Sequence, residues 1–384
     1  MQHFYFDHNA TTPVAPEVLE TAVECLGQVY GNASSIHHFG QAAKQKLEAA
    51  RRQVAALIHA NPAEVVFLSG GTEADNLALL GVARAAGCAG AHAITSAIEH
   101  PAVLASCAQL EREGADVTRL PVGANGTVNP EDVRRALRPG TVLVSIMHAN
   151  NELGTVQPIA EIARIAREAG VPLHVDGVQA PGKIAVDVDS LGVDLYSMSG
   201  HKLYAPKGVG ALYVRKGTRL APTAFGGHHE RDRRPGTENV PGIAALGAAA
   251  ELAGRTLAAE SERLAALRDR LETSVLGRIS GTGVNGARWN RTPNTSNMYF
   301  DGVDGEAMVI ALDLRGFAVS TGSACSSGAI APSHVLTALG LSGDRARSSL
   351  RFSLGRSNNA EQVDALADAL VASVTHLRRI SVHA

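Results

Sequence analysis

The sequence contains few cysteines, and their spacing excludes two common uses of this residue. Its 384 residues include four cysteines, Cys25, Cys88, Cys107 and Cys325, none of which belongs to a C-x-x-C pair. Such wide spacing disfavours a disulfide framework and a zinc knuckle. We therefore expect no metal site, and each cysteine has to be explained by its own surroundings.

The sequence also lacks long apolar runs and an excess of one charge. The formal net charge is −2, the basic residues are scattered, and no segment offers about 18 consecutive apolar residues. The first stretch, "MQHFYFDHNATTP", has neither the basic region nor the apolar core of a signal peptide. These absences argue against a nucleic-acid ligand and a membrane, and favour a cytoplasmic protein that acts on small molecules.

Alternating helix and strand patterns predict the fold class. Apolar periodicity marks helices such as "QKLEAARRQVAALI" and "IAEIARIAREAG", and short apolar runs such as "HAITS", "PLHVD" and "GALYV" mark strands. This alternation predicts an α/β fold whose mostly parallel sheet is covered by helices on both faces. A helical run from Pro241 to Leu276 then leads to irregular strands, including "SNMYFDG" and "SLRFSLG", which predict a smaller α+β domain.

The length predicts two domains, because 384 residues exceed one average core. We expect a large domain over residues 13–257. The small domain is expected to combine residues 1–12 with residues 258–384.

Polar clusters follow five of the predicted strands: "SGGTE", "IEH", "HANNELG", "DGVQ" and "SGHK". In open α/β sheets ligands bind at the carboxyl ends of the strands. The five clusters therefore predict a single site.

The stretch "VVFLSGGTEADNLAL" places two glycines and Thr72 where a strand ends and a helix begins. Backbone N–H groups and the helix dipole at such a position suit a phosphate. A plain tight turn with Thr72 as the helix cap is the alternative.

Two glycine-rich stretches match nucleotide-binding patterns without their context. "GVQAPGKI" carries Ile184 where a Ser or Thr is needed for magnesium, and the following "IAVDV" is predicted to be a strand. "GTGVNG" follows a helix instead of a strand, so we expect a glycine-rich turn there.

Asp176 and Lys202 follow neighbouring strands and are expected to point into the same crevice. A nucleophilic lysine together with an aspartate that faces a pyridine nitrogen is the minimum for pyridoxal phosphate. Ser199 and His201 flank the lysine and suit the phosphate, and Gln179 suits the phenolic oxygen of the cofactor. A surface lysine beside a turn is the alternative for Lys202 alone.

Eight motifs in chain order resemble those of the NifS- and IscS-like cysteine desulfurases: "SGGTEADN", "EHPAVL", "HANNELG", "HVDGVQ", "SGHKLYAPKGVGALYV", "RRPGTENV", "STGSACSSG" and "LRFSLGR". The match runs from "DHNATTP" to the last helix. The resemblance implies a fold-type I enzyme with a seven-stranded sheet, dependent on pyridoxal 5′-phosphate. It also implies a homodimer that converts L-cysteine to L-alanine and passes sulfur to an acceptor protein, such as an iron–sulfur scaffold.

The resemblance also implies roles for individual residues. Lys202, His100 and Cys325 are implied to be catalytic, with Lys202 attached to the cofactor and His100 stacked on its ring. The cofactor-binding residues are implied to be Gly71, Thr72, His100, Asn151, Asp176, Gln179, Ser199, His201, Lys202 and Thr237, the last acting in the site of the partner subunit. Asn32, Asn151 and Arg351 are implied to bind the substrate.

Cys325 lies in "STGSACSSGAIAPSHVL", a run of small residues ahead of a helix that we expect to start at Pro332. A thiol that takes up sulfur and passes it on needs such an accessible carrier. The other three cysteines lie in Ala- and Leu-rich helical stretches and are assigned to packing. A different pyridoxal phosphate reaction and a non-catalytic phosphate-binding protein are the alternatives.

Two motifs depart from the family pattern. Gly71 stands where alanine is common, and "DGVQ" replaces the frequent Asp-Ala-Thr-Gln. We expect both changes to be compatible with cofactor binding.

Overall fold

The computed structural model describes residues 2–322 and 332–381. The strands in this part of the chain are β1 (Phe4–Tyr5), β2 (Val65–Leu68), β3 (His92–Ser96), β4 (Asp116–Leu120), β5 (Thr141–Ser145), β6 (Leu173–Asp176), β7 (Leu195–Ser199), β8 (Gly210–Val214), β9 (Thr282–Val284), β10 (Thr295–Phe300), β11 (Phe317–Ala318) and β12 (Ser349–Ser353). The α-helices are α1 (Pro16–Gln28), α2 (His38–Leu57), α3 (Gly71–Ala86), α4 (Pro101–Arg112), α5 (Pro130–Ala136), α6 (Ile159–Glu168), α7 (Val188–Leu191), α8 (Val240–Arg278), α9 (Gly305–Asp313), α10 (His334–Ala338), α11 (Gly343–Arg347) and α12 (Ala360–Ser381).

A seven-stranded sheet in the order β2-β8-β7-β6-β5-β3-β4 forms the centre of the fold. Strand β8 is antiparallel to both of its neighbours, and the remaining pairs are parallel. The α/β prediction with a mostly parallel sheet is therefore confirmed. Strands β3, β7 and β8 are buried along their whole length, as expected for strands covered by helices on both faces.

The helices form where the apolar residues recur every three or four positions. Helix α6 buries Ile159, Ile162, Ala163, Ile165 and Ala166 against the sheet and leaves its charged residues outside. Helix α4 begins at Pro101 because the His100 side chain accepts a hydrogen bond from the N–H of Ala102 and so caps the helix.

A second unit is built on the antiparallel sheet β12-β10-β9, accompanied by the parallel pair β1-β11. Its own core contains Phe300, Phe352 and Leu271, together with Phe6 from the start of the chain. The 39-residue helix α8 joins the two units, since its first half packs in the core beside the large sheet and its second half packs in this smaller core.

Three local predictions were wrong. "IAVDV" is not a strand, because the Asp187 side chain accepts the N–H groups of Asp189 and Ser190 and starts helix α7 at Val188. "GTGVNG" is more than a turn, since Thr282–Val284 pairs with β10 as strand β9. Helix α10 starts at His334 and not at Pro332, because Ser333 caps it.

No helix in the described ranges is long and apolar enough to cross a membrane.

Candidate active site

Lys202 follows β7 and sits in a short 3-10 turn, Gly200–Lys202. Its Nζ donates to the carbonyl oxygen of Asn9 and, at 2.7 Å, to that of Ala10. Burial lowers the pKa of Lys202 to about 8, with Arg351 acting in the same direction and Asp7 and Asp176 opposing it. An amine with this pKa is neutral in an appreciable fraction of molecules at physiological pH, as a nucleophile requires.

Asp176 ends β6 and lies in the crevice with His100. Ligand atoms of Asp176, His100 and Asp75 are all within 4.8 Å of one another. Burial raises the pKa of Asp176, against the opposing influence of His100 and Lys202. Its carboxylate receives a single hydrogen bond from the described residues, from the N–H of Val178 at 3.0 Å.

His100 has a defined tautomer when its ring is neutral. Its Nδ1 accepts the N–H of Ala102 at 3.1 Å, so the ring proton is on Nε2. Burial lowers the pKa of His100, while the charge of Asp176 raises it. The imidazole is therefore available as a neutral ring with one N–H.

Asp75 lies behind Asp176 on helix α3 and was missed by the sequence analysis. It is fully buried, its Oδ1 lies 3.6 Å from Nε2 of the buried His174, and burial together with Asp176 raises its pKa well above the ordinary value. Two carboxyl groups this close do not both ionise readily, so the charge of Asp176 opposes ionisation of Asp75. Nothing in its sequence context distinguished it from an ordinary helix residue.

The predicted phosphate loop forms the start of helix α3, where Gly70 and not Thr72 is the cap residue. Thr72 is exposed in the first turn. Ser199 lies beside this loop, because an added Cβ at Gly71 would stand 3.5 Å from the Ser199 Cβ. His201 follows, with Nδ1 3.1 Å from the Thr11 hydroxyl. Gly71 and Ser199 therefore lie together at a helix N-terminus, which attracts an anion.

Gln179 and Asn151 are linked to each other and to Lys202 through Asn9. The Gln179 side chain donates from Nε2 to the Asn9 carbonyl at 3.0 Å, and its Oε1 accepts from the buried Lys183. The carbonyl of Asn151 accepts from Asn9 at 3.0 Å and from Arg351 at 3.1 Å. Asn9 and Lys183 were not singled out from the sequence, although Lys183 lies in the rejected "GVQAPGKI" stretch.

Arg351 lies on β12 of the smaller unit, and its side chain extends to the Asn151 carbonyl. Pairing of Arg351 with Asn297 of β10 and the bridge between Asp7 and Ser353 bring Asp7 next to it. The structure therefore brings together Lys202, Asp176, His100, Gln179, Asn151, Ser199, His201, Gly71 and Arg351, which lie far apart in the sequence.

Four predicted site residues are not joined to this group, and one of them is Thr72, exposed in the first turn of α3. Asn32 is exposed, and its Oδ1 accepts the N–H of Ser34. Thr237 is exposed on the surface of the chain. Cys325 lies outside the described residues.

These residues fit pyridoxal phosphate. Asp176 is a buried carboxylate whose charge lacks a cationic hydrogen-bond partner, which a protonated pyridine nitrogen would supply. The Lys202 amine suits attachment of the cofactor, and the N-terminus of α3 suits its phosphate. The neutral imidazole of His100 suits stacking on its ring.

Comparison with known proteins identifies the family of the chain. The family described as aminotransferase class-V matches residues 4–366. The curated protein "Cysteine desulfurase IscS" of Dictyoglomus turgidum is 49% identical over 377 residues, which cover 98% of this chain and 96% of the relative. A solved structure described as a NifS-like protein has a TM-score of 0.92 at 35% identity, and the match covers 98% of this chain and 100% of that one. Another, "SspA in complex with cysteine", has a TM-score of 0.82 at 38% identity, with 91% and 98% of the two chains covered.

By fold and site the chain is a pyridoxal-phosphate-dependent enzyme of the aminotransferase class-V family. Within that family it belongs to the cysteine desulfurases.

Proposed function

We propose that this enzyme converts L-cysteine to L-alanine and retains the sulfur as a persulfide on Cys325. The observation that supports the proposal best is the buried Asp176 carboxylate beside both His100 and the Lys202 amine. When bound, pyridoxal phosphate would stabilise negative charge at the Cα of the substrate.

Asp176, Lys202 and His100 are proposed to have different roles in the proton transfers. With the cofactor bound, Asp176 would keep a proton on its ring nitrogen, because the buried carboxylate would gain a partner there. Lys202, with its pKa lowered to about 8, takes the proton from the substrate Cα when it is neutral. His100 would be the third proton-carrying group of the site, with its proton on Nε2 when the ring is neutral.

Arg351 is proposed to bind the carboxylate of L-cysteine, with Asn151 and Asn32 on the substrate side. It is buried, and its Nε has no partner among the described residues. A buried guanidinium that recognises a carboxylate with two N–H groups orients the substrate as well as binding it.

The sulfur step is assigned to Cys325. Its thiolate Sγ bonds to the Sγ of the substrate while the substrate's Cβ–Sγ bond breaks. The electron pair of the broken bond stays with Cβ, which gains a proton and becomes the methyl group of alanine. The sulfur atom remains on Cys325 as a persulfide for the next acceptor.

Removal of the Lys202 amine tests the proposed cofactor attachment. We expect Lys202→Ala to lose the visible absorption band of the enzyme and the borohydride-trapped adduct. Lys207→Ala is the matched control, since Lys207 is exposed five residues along the same segment. A Lys202→Ala protein with an unchanged band and adduct would refute the assignment.

Removal of the Cys325 thiol tests the sulfur step. We expect Cys325→Ala to keep the visible band and to lose the added sulfur atom that mass spectrometry detects after incubation with L-cysteine. Cys88→Ala, which changes a half-buried thiol packed below the end of α3, is expected to keep that sulfur. Full persulfide formation in Cys325→Ala would contradict the proposal.

We further propose that the enzyme is a cytoplasmic homodimer in which Thr237 completes the phosphate site of the partner subunit. The exposure of Thr237 supports this arrangement, as do the exposed apolar side chains on and beside α1, namely Leu19, Val23, Leu26, Tyr30, Ile36 and Phe39. An active monomer in sedimentation would contradict it.

Mixed dimers test the position of Thr237 more sharply. Inactive Lys202→Ala chains and impaired Thr237→Val chains are expected to regain activity when mixed, because one site of each mixed dimer then has both native residues. No recovery on mixing would place Thr237 in the site of its own chain.

The destination of the sulfur and the domain division are also proposals. We propose transfer to an acceptor protein such as an iron–sulfur scaffold, which a pull-down with the persulfidated enzyme tests. We propose the domains as residues 13–257 and as residues 1–12 with 258–384. The separate apolar cores beside the two sheets support this division.

A further inference from the structure

Asn9 has every polar atom engaged, although it is 2% exposed and lies outside any helix or strand. Its backbone N–H donates to the Ser353 hydroxyl at 2.9 Å, and its carbonyl accepts from Gln179 and Lys202. The side-chain Nδ2 donates to the Asn151 carbonyl at 3.0 Å and to the Thr295 hydroxyl at 2.8 Å. Its Oδ1 accepts from Lys183 at 3.3 Å and from Asn294 at 3.1 Å.

This pattern fixes the Asn9 amide in one orientation. A primary amide has two N–H donors and one oxygen with two acceptor positions, and all four are used here. The carbonyl of Asn151 only accepts, so it must face Nδ2. Any rotation of the side chain would leave buried polar groups without partners, which costs about 1–3 kcal/mol for each group.

The partners of Asn9 come from both structural units. Lys202, Gln179 and Asn151 follow strands of the seven-stranded sheet, while Ser353 and Thr295 belong to β12 and β10 of the smaller sheet. The carbonyl of Asn151 also receives Arg351 at 3.1 Å. Asn9 therefore contacts Lys202 and Gln179 directly. It also contacts the Asn151 carbonyl that receives Arg351.

We propose that Asn9 is a positioning residue that fixes where the Lys202 amine lies relative to the substrate-binding Arg351. Its amide anchors the backbone of residues 9–10, whose two carbonyls receive the Lys202 Nζ. The proposal rests on the proposed function for the roles of Lys202 and Arg351.

The groups around the Lys202 amine give the direction of the expected effect. Burial and Arg351 lower its pKa, Asp7 and Asp176 raise it, and Lys183, His100 and His201 also lie within its electrostatic reach. Carbonyl acceptors favour the protonated amine. Loss of the anchored carbonyls should therefore lower the pH at which Lys202 becomes reactive.

The test uses the full chain without cofactor. Lys202 reactivity is measured from pH 6 to 10 by labelling with an amine reagent and quantification by mass spectrometry. In Asn9→Ala we expect the midpoint of Lys202 labelling to fall by about half to one pH unit. With cofactor bound, kcat for L-cysteine is expected to fall about tenfold or more, while the visible band remains.

Asn285→Ala is the matched control, because Asn285 is another buried asparagine whose amide bonds to Asn297 and Ser349 within the smaller sheet. It is expected to lower stability without changing the labelling midpoint. Thr295→Val removes only one hydrogen-bond partner of Asn9 and replaces Asn9→Ala in the test if that variant fails to fold. We expect its labelling midpoint to shift in the same direction by a smaller amount.

An unchanged labelling midpoint in both Asn9→Ala and Thr295→Val, or an equal shift in Asn285→Ala, would overturn the positioning role. This failure is distinct from failure of the proposed function, which a retained visible band in Lys202→Ala would show.

Discussion

Asp7 holds the guanidinium of Arg351, with Oδ1 of the carboxylate 2.6 Å from Nη2 of the arginine. The Arg351 side chain is 4% exposed and that of Asp7 is 19% exposed, so water screens the pair only partly. Recognition of a substrate carboxylate by two N–H groups needs a guanidinium in a fixed plane. Asp7 therefore aligns the group that we propose as the receptor of the L-cysteine carboxylate.

Substitution of Asp7 should affect substrate binding more than turnover. In Asp7→Asn, Arg351 loses its charged partner and its fixed plane, so we expect KM for L-cysteine to rise about tenfold, or about 1.4 kcal/mol, with a small change in kcat. Steady-state kinetics measure both constants. Asp344→Asn, which breaks an exposed pair with Arg347, is the control and should leave KM unchanged. A fall in kcat at constant KM would argue against this role for Asp7.

Glu99 should make stability depend on pH. Burial raises the pKa of this carboxyl to about 8, whereas an unfolded glutamate titrates near 4.3. Between these values the folded chain binds a proton that the unfolded chain lacks, so the free energy of unfolding falls as pH rises and levels off above about pH 8.

Replacement by a neutral isostere removes this contribution. In Glu99→Gln we expect the free energy of unfolding, measured by urea titration, to fall less steeply than in the wild type between pH 6.5 and 8. The exposed Glu20→Gln serves as the control. Identical slopes in Glu99→Gln and the wild type would show that Glu99 is not protonated in the folded state.

Gly71 should be restricted by Val178. A Cβ at Gly71 would stand 2.7 Å from the Val178 Cγ2, closer than unstrained contacts allow. We expect Gly71→Ala to weaken cofactor affinity, because overpacking of about 1–3 kcal/mol displaces the phosphate loop. Titration of the cofactor-free enzyme with pyridoxal phosphate gives the affinity. Recovery of affinity in Gly71→Ala with Val178→Ala would confirm the steric cause, and no recovery would reject it.

The buried ion pair between Arg51 and Glu230 should stabilise the backbone of the segment from Glu230 to Thr237. Two hydrogen bonds of 2.7 and 2.8 Å join the side chains, and Glu230 also accepts the N–H of Phe67. Glu230, Arg231 and Asp232 all have positive φ values, of 43°, 58° and 63°. Such left-handed backbone in residues other than glycine persists only where neighbouring contacts hold it.

Loss of one partner leaves a buried charge without compensation. For Glu230→Ala we expect a loss of about 3–5 kcal/mol in the free energy of unfolding, together with weaker cofactor affinity in the dimer. Urea titration and cofactor titration measure the two effects. Glu113→Ala breaks a more exposed pair with Arg84 and should cost less than about 1 kcal/mol. Equal losses in the two variants would mean that burial of the Arg51 pair is unimportant.

The sequence predicted the parts of the site that follow strands. Asp176 and Lys202 were placed together because both come directly after apolar strands of one parallel sheet, and the structure brings them into one crevice. Asp7 and Asn9 were missed because their partners are far away along the chain. Asp7 contacts Arg351, which lies 344 positions later, and no local sequence pattern predicts such a contact.

The sequence by itself determined the order of helices and strands and the set of motifs at the strand ends, since apolar periodicity and turn residues act over a few neighbouring positions. Only the tertiary structure decided which polar atoms meet. It brought Asn9 to Lys202 and Asp7 to Arg351, and it buried Asp75 and Glu99. These features depend on contacts between segments that lie far apart in the sequence, because burial and long-range hydrogen bonds exist only when such segments meet.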